Sequence, residues 1–478
     1  MPPGSTAFPH PRGAHCDVLV LGAGLAGLRA AWAAKQQAPH LRVVIATPAA
    51  GPSGSSFANR NNALGMQVPS SAQAAAFVEE ALSLATPGLA LRPLVEALAE
   101  DAEARLTDLL DLGLAFRRDT NAELQRFPGC FSAAPRAVIY TGLAAAHRAF
   151  LGRVLGLGVE LLPGVEAVGL NVDSGRVCGA QLRDVRGAAV HSLNAGAVIA
   201  ALGGPAPLFA RRTCGTGGTG LSYGLLAQAG ARLVNAPYLQ FFWVHPKTLR
   251  FTNPAELDWT GAMRDAGPHF TPQLIQARRM HCPTAYGQPD AAIDASLLTQ
   301  QSPNGICWAT GAGGVLLPLV LAAHAGNGGA LIDTRGRTTV PGLYAGGECA
   351  SGMHGANRLG GGMVLAALVF GARAGVEAAR EALQGHASAR AEAHGPCDAA
   401  RSQASATPQP FLRTLRRNMQ RHGLLAGIHG QGAKREAFVS RLRTWADAPS
   451  TPQRQRLLSL SALAVLGAAR VGTATGGS

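Results

Sequence analysis

An unbroken apolar run, Val18 to Leu21, opens the patterned part of the chain and predicts a strand buried on both faces. An alanine-rich stretch after it predicts a helix, and a second apolar run, Val43 to Ala46, predicts a second strand. Residues 69–114 read as a helical region, with apolar spacing in LVEALAEDAEARLTDLLDLGLAF. Further strands are expected over 164–170 and 195–204. Residues 237–324 are less regular, carry Trp243, Trp259 and Trp308, and read as an inserted lobe. Strand–turn–strand patterning returns at 331–352, and MVLAALVFGARAG, starting at Met363, predicts a helix. The alanine-, serine- and proline-rich segment 384–410 reads as a linker. Residues 411–478 look helical, with apolar positions at Leu412, Leu415 and Met419, and no internal repeat is visible.

Between the first two strands stands Gly22-x-Gly24-x-x-Gly27, a dinucleotide fingerprint in the strand–turn–helix context it requires. Gly22 serves the tight turn, Gly24 lets backbone approach a pyrophosphate, and Gly27 lets helix and strand pack closely. The helix N-terminus offers unpaired N–H groups and about half a positive charge to phosphates. The second strand ends at Thr47, where a nicotinamide-binding fold carries an acid for the ribose. That argues against a plain nicotinamide dehydrogenase. A second glycine bed, GMHGANRLGGG (352–362), places His354 and Arg358 immediately before the predicted helix.

Composition refines this picture. At 478 residues, with 47% apolar and 15% charged positions, the chain is globular and long enough for two or three domains. The formal charge is +14, yet the only lysines are Lys35, Lys247 and Lys434, and no run of five basic residues occurs. An arginine excess so dispersed is a compositional habit rather than a nucleic-acid surface. Residues 401–478 hold twelve basic and two acidic residues, so a protein partner at that basic C-terminal region stays open. The eight cysteines form no C-x-x-C pair and no metal spacing; they read as scattered buried thiols in a reducing compartment. No signal peptide is expected in the first fourteen residues, and no apolar run reaches bilayer length, so the expected location is cytoplasmic with no transmembrane segment.

The stretch VPGLYAGGECASGMHGANRLGGG (340–362) closely resembles the flavoprotein family of succinate dehydrogenase, fumarate reductase and L-aspartate oxidase. GSSFA (54–58), VIAALGG (198–204), AAHAGNGGALIDTRGRT (322–338) and LRTLRRNMQRHGLL (412–425) resemble further segments of it. The resemblance implies an α/β fold: a Rossmann-like FAD-binding domain with an inserted α+β capping domain and a C-terminal helical domain. Its boundaries would be 14–236 and 325–383 for the FAD-binding domain, 237–324 for the cap, 384–410 for the linker and 411–478 for the helical domain. It implies FAD contacts at Gly22, Ala23, Gly24, Leu25, Ala26, Gly27, Thr47, Ser55, Ser56, Ala167, Ala201, Gly203, Glu348, Arg358, Gly361, Val364 and Leu365. Glu348 would hold the ribose, and the helix starting near Gly361 would aim its dipole at the flavin. Arg358, His324 and His245 would be catalytic, with Arg358 gripping a substrate carboxylate and His354 supporting the loop.

Departures from the family pattern shape the expected chemistry. The respiratory enzymes attach flavin to a His in the 54–58 loop; Ser55-Ser56-Phe57 stands here, so FAD would be noncovalent. The family's Q-F-H-P-T appears as QFFWVHPKT (240–248), so either Phe242 replaces the His or His245 serves after an insertion. Gln273 stands at the place of the proton-shuttling Arg, with Arg278 and Arg279 as weak substitutes. PGCFS (128–132) replaces the aspartate oxidase E-G-G-H-S, and RVGTATGGS (470–478) only partly matches the C-terminal motif. The resemblance thus implies an FAD-dependent oxidoreductase taking hydride from a small carboxylate or amino-acid substrate and passing electrons to oxygen or a partner redox protein. The alternative is an FAD-binding subunit of a multi-component redox assembly with a degraded site.

Overall fold

The computed structural model describes residues 15–187, 189–259, 270–302, 304–389, 409–424 and 432–468. Its first strand, β1 (His15–Leu21), is buried from Cys16 onward, as a strand covered on both faces must be. Helix α1 (Leu25–Gln37) and strand β2 (Val43–Thr47) complete the unit. β2 pairs parallel with β1, Val18 opposite Val43 and Leu21 opposite Ala46. The close packing expected at Gly27 is present: a Cβ there would sit 1.9 Å from the Gly22 carbonyl oxygen.

Among the described residues, seven strands make the main sheet. From one edge run Glu160–Pro163, β2, β1, Val190–Ala200, Arg176–Asp184 and Val165–Asp173, with Leu343–Ala345 also paired to Val190–Ala200. Arg176–Asp184 joins both neighbours antiparallel; the other pairings are parallel. The carboxyl ends of the central strands are stitched together. Gly22 N donates to Ala46 O at 2.8 Å, Ala201 N to Leu21 O at 2.9 Å, and Gly346 N to Ala200 O at 3.0 Å. The crevice outside such strand ends is where open α/β sheets bind ligands.

The 69–114 region is two helices, Ala74–Leu84 and Arg92–Asp111. Arg29 of α1 pairs with Asp108 at 3.0 Å and Arg373 with Asp101 at 2.8 Å. These pairs tie Arg92–Asp111 to α1 and to the long helix Gly362–Ala389. The long helix lies directly on α1, so a Cβ at Gly375 would come within 2.2 Å of the Ala30 carbonyl oxygen. Two expectations need correcting here. The long helix continues to Ala389, past the linker start expected at 384. Its Gly362–Gly385 stretch is also long and apolar enough to cross a membrane by length and composition, although 78% of its most apolar part is buried inside the protein.

Within 237–324, the strands Leu239–Val244, Leu316–Gly326 and Cys307–Thr310 form an antiparallel sheet. Gly326 pairs with Leu239, so this sheet runs two residues past the boundary expected at 324. Among the described residues, the C-terminal helices Gln409–His422, Ala433–Asp447 and Gln453–Val465 follow. The last docks on the body, where Gly224 N donates to Ser461 Oγ at 2.8 Å. The N-terminal tail, Cys397, linker residues 390–408 and the 470–478 stretch lie outside the described residues.

Candidate active site

A cavity of about 360 Å³ opens at the carboxyl edge of the sheet, within the range of ligand pockets. Most sequence-expected site residues line it: Gly22 to Ala26, Thr47, Ser55, Ser56, Ala167, Ala201, Gly203, His324, Glu348, Arg358, Gly361 and Val364. Three do not. Gly27 is used in helix–strand packing, and Leu365 is fully buried in the core. His245 instead closes the turn after its strand, its Nδ1 accepting from Lys247 N at 3.3 Å and Thr248 N at 3.2 Å.

The fingerprint end of the cavity suits a pyrophosphate. A Cβ on Gly24 would meet only Ser56 Oγ, at an ordinary 3.5 Å, so the protein itself leaves that side open. Ser56 Oγ accepts from Leu25 N at 3.2 Å and holds the 54–57 turn against the start of α1. Glu348 sits on the turn after Leu343–Ala345, its Oε1 accepting from Gly326 N at 2.8 Å and its carboxylate also from Gly204 N. Burial pushes its pKa up, while those N–H groups and the Arg358 charge pull it down. These features fit FAD: an open glycine turn, a helix N-terminus and an oriented carboxylate face one cavity.

Arg358 lies on a loop fastened from several sides. Asn357 exchanges two 2.8 Å hydrogen bonds with the Tyr286 backbone, and Asn235 Nδ2 donates to His354 O at 2.8 Å. Gly360 N donates to Cys130 O at 2.9 Å. The guanidinium is buried, and burial lowers its pKa to about 10 despite the nearby Glu348 and Cys130. Among the described residues no carboxylate approaches it within 4.0 Å, and its buried Nε has no partner. A buried cation with unused donors is costly unless an anion completes it. The long helix begins four residues later, adding its positive end to the same wall.

His324, on strand Leu316–Gly326, has Nδ1 2.9 Å from Thr213 Oγ1. Burial first, and Arg358 second, lower its pKa to about 3, so the ring is neutral. The same causes bring His354 to about 3; it is buried, its Nε2 has no partner, and it does not line the cavity.

Other features were less accessible to sequence reading. Phe242 stands 4.4 Å from His324, centroid to centroid, and with Leu249 and Phe251 makes an apolar cavity wall. Gln273 is exposed on the helix Pro272–Arg279, and Arg279 is exposed as well. Arg278 is fully buried but engaged inside the cap, 3.3 Å from Asp294. The cysteines are not all scattered and buried: Cys282 is exposed, and Cys130 lies near enough for the two thiols to shift each other's pKa. A contact between positions 130 and 282 has no local sequence signal.

The model of the FAD binding domain family matches residues 17–268 and 289–364. L-aspartate oxidase of Caulobacter vibrioides is 33% identical over 405 residues, covering 77% of this chain and 77% of that protein. L-aspartate oxidase of Halobacterium salinarum is 31% identical over an alignment of 502 positions, covering 94% of this chain and 92% of that protein. Among solved structures, Mycobacterium smegmatis Sdh1 in complex with UQ1 matches with a TM-score of 0.71 at 20% identity, covering 95% of this chain and 85% of that one. At that identity the likeness speaks to the fold.

Proposed function

The chain belongs to the FAD binding domain family and is an FAD-dependent oxidoreductase, and from that premise we propose that it removes hydride from a small carboxylate- or amino-acid-like substrate in the manner of L-aspartate oxidase. The observation that carries this reading is Arg358: a buried guanidinium without a carboxylate partner among the described residues, lining the cavity that the fingerprint and Glu348 also line. FAD, held without a covalent bond at the Ser55–Ser56 turn, supplies the hydride acceptor. Arg358 binds the substrate carboxylate through a planar two-pronged contact, which fixes how the C–H bond is presented. Neutral His324, its Nδ1 occupied by Thr213, offers its other nitrogen to a substrate oxygen. The wall of Phe242, Leu249 and Phe251 keeps water away. Oxygen or a partner redox protein takes the electrons onward.

The test is anaerobic. L-aspartate, succinate and a panel of other amino acids and carboxylates are mixed with the yellow protein, and the flavin absorbance is followed. A substrate bleaches it, and Arg358→Ala slows bleaching about 10²- to 10³-fold while FAD stays bound, the cost of losing a buried charge-assisted contact. Equal bleaching rates in the variant and the parent would remove Arg358 from the reaction.

A further inference from the structure

Arg358 owes its direction to its backbone. Among the described residues its buried side chain makes no hydrogen bond, so nothing along its rotatable bonds fixes the aim of the guanidinium. The segment that carries it is bound to the lobe built on Leu239–Val244 and Leu316–Gly326. The chain passes Asn235 just before this sheet and Asn327 just after it, and Leu239 pairs with Gly326 between them. Asn235 Nδ2 donates to His354 O at 2.8 Å and to Leu89 O at 2.7 Å. Asn327 Nδ2 donates to Ala356 O at 3.1 Å, and Asn327 O accepts from Ser351 Oγ at 2.8 Å. Asn357 closes the set: its Oδ1 accepts from Tyr286 N and its Nδ2 donates to Tyr286 O, both at 2.8 Å. Tyr286 belongs to the same lobe, because its hydroxyl donates to Leu239 O at 2.8 Å and Thr284 N donates to Phe241 O at 2.8 Å. Pairing with both halves of one residue's backbone needs a donor and an acceptor on one side chain, which an amide supplies. Asn327 and Asn357 are fully buried, and none of the three asparagines lines the cavity.

We propose that Asn357 is the positioning residue for Arg358. It clamps the backbone beside the arginine to the lobe, while Asn235 and Asn327 hold the two carbonyls upstream, so the lobe sets where the guanidinium points. This deepens the reading of Arg358 as the carboxylate-binding group and rests on it. Asn357 acts through Arg358 and touches neither substrate nor FAD. Losing the clamp therefore disturbs how the C–H bond is presented, and a misplacement of about 1 Å can cost on the order of 100-fold in rate. An amide that only held the fold together would register in melting and in FAD affinity, whether or not the arginine were present.

The experiment uses the full-length holoprotein and a double-mutant cycle. Bleaching is followed anaerobically at saturating concentration of whichever acid in the panel above bleaches the parent fastest. Asn357→Ala should slow it about 10- to 100-fold while FAD affinity stays within about twofold. The same substitution placed on Arg358→Ala should cost less than about twofold, because no guanidinium is left to aim. Asn235→Gly provides a second variant in case Asn357→Ala folds poorly. Asn235 holds φ +55°, which glycine adopts readily, so the turn survives while the bond to His354 O is lost, and the same pattern should appear at smaller amplitude. Hydrogen exchange of the resting holoproteins gives a readout free of turnover: Asn357→Ala should speed exchange over 280–286 and 353–360 and leave 18–46 unchanged. Unchanged exchange over 353–360, equal bleaching rates in Asn357→Ala and the parent, or the same proportional loss with and without Arg358 would each overturn the proposal. A parent that no acid bleaches would instead overturn the hydride-removal reading, and the exchange data would then decide whether Asn357 holds the loop.

Discussion

Thr213 Oγ1 sits 2.9 Å from His324 Nδ1, inside a region so buried that the ring stays neutral down to about pH 3. His354 is lowered to about 3 by the same causes, burial first and Arg358 second. In the unfolded chain both rings take protons near their ordinary pKa of about 6.5. Their folded pKa values are depressed, so their contribution to stability is fully present above about 6.5 and is lost as pH falls toward 3. Between pH 7.5 and 5.5 the two rings together should remove on the order of 2 kcal/mol. Glu348, shifted upward by burial, acts in the opposite direction, so the parent is compared with a double histidine variant in which Glu348 is unchanged. Urea midpoints at pH 7.5 and 5.5 check this. The His324→Gln/His354→Gln double variant should show a flatter pH dependence, and one as steep as the parent's would refute the assignment.

The two inner fingerprint glycines should fail in different ways. A Cβ on Gly27 runs into the Gly22 carbonyl at 1.9 Å, whereas one on Gly24 meets only Ser56 Oγ at 3.5 Å. Gly27→Ala therefore strains the fold itself, at a cost of about 1–3 kcal/mol or more, and should lower the melting temperature of the FAD-free protein by several degrees. Gly24→Ala should leave that melting temperature within about 1 °C yet weaken FAD binding at least ~10-fold, because backbone can no longer approach the pyrophosphate. Thermal melts of the stripped protein, paired with flavin fluorescence titrations, separate the two. Full FAD affinity in Gly24→Ala would place the phosphates elsewhere.

Much of this was legible in the chain. The run Val18–Leu21, the glycine spacing and the run Val43–Ala46 are local patterns, and they became β1, the turn before α1, and β2. The Glu348-to-Gly362 stretch was equally readable, because its turn, carboxylate, arginine and helix start follow one another along the backbone. The choice between Phe242 and His245 was not readable. The ladder with Leu316–Gly326 shifts register between Gln240 and Phe241, and a bulge there resets which side chains face the cavity. Gly385 gave no helix stop either: the long helix runs through it to Ala389. Arg278 looked available for proton transfer only because its partner, Asp294, lies sixteen residues further on.

The apolar wall should set what the site accepts. Phe242 stands 4.4 Å from His324, and Phe251 packs 4.6 Å from Phe242, so this side of the cavity offers ring surface in place of hydrogen-bond donors. Arg358 satisfies one carboxylate; a second carboxylate placed against the phenyl rings would lose its water without gaining a partner. A carboxylate with an apolar remainder avoids that cost. Phe242→His adds a donor at this place and should raise the dicarboxylate-to-monocarboxylate ratio of kcat/KM about 10-fold, the worth of one hydrogen bond to a charged group. The measurement compares L-aspartate with an apolar amino acid on parent and variant. A ratio unchanged within about twofold would mean that the phenyl ring lines the cavity without meeting the substrate, and that selection rests on another wall.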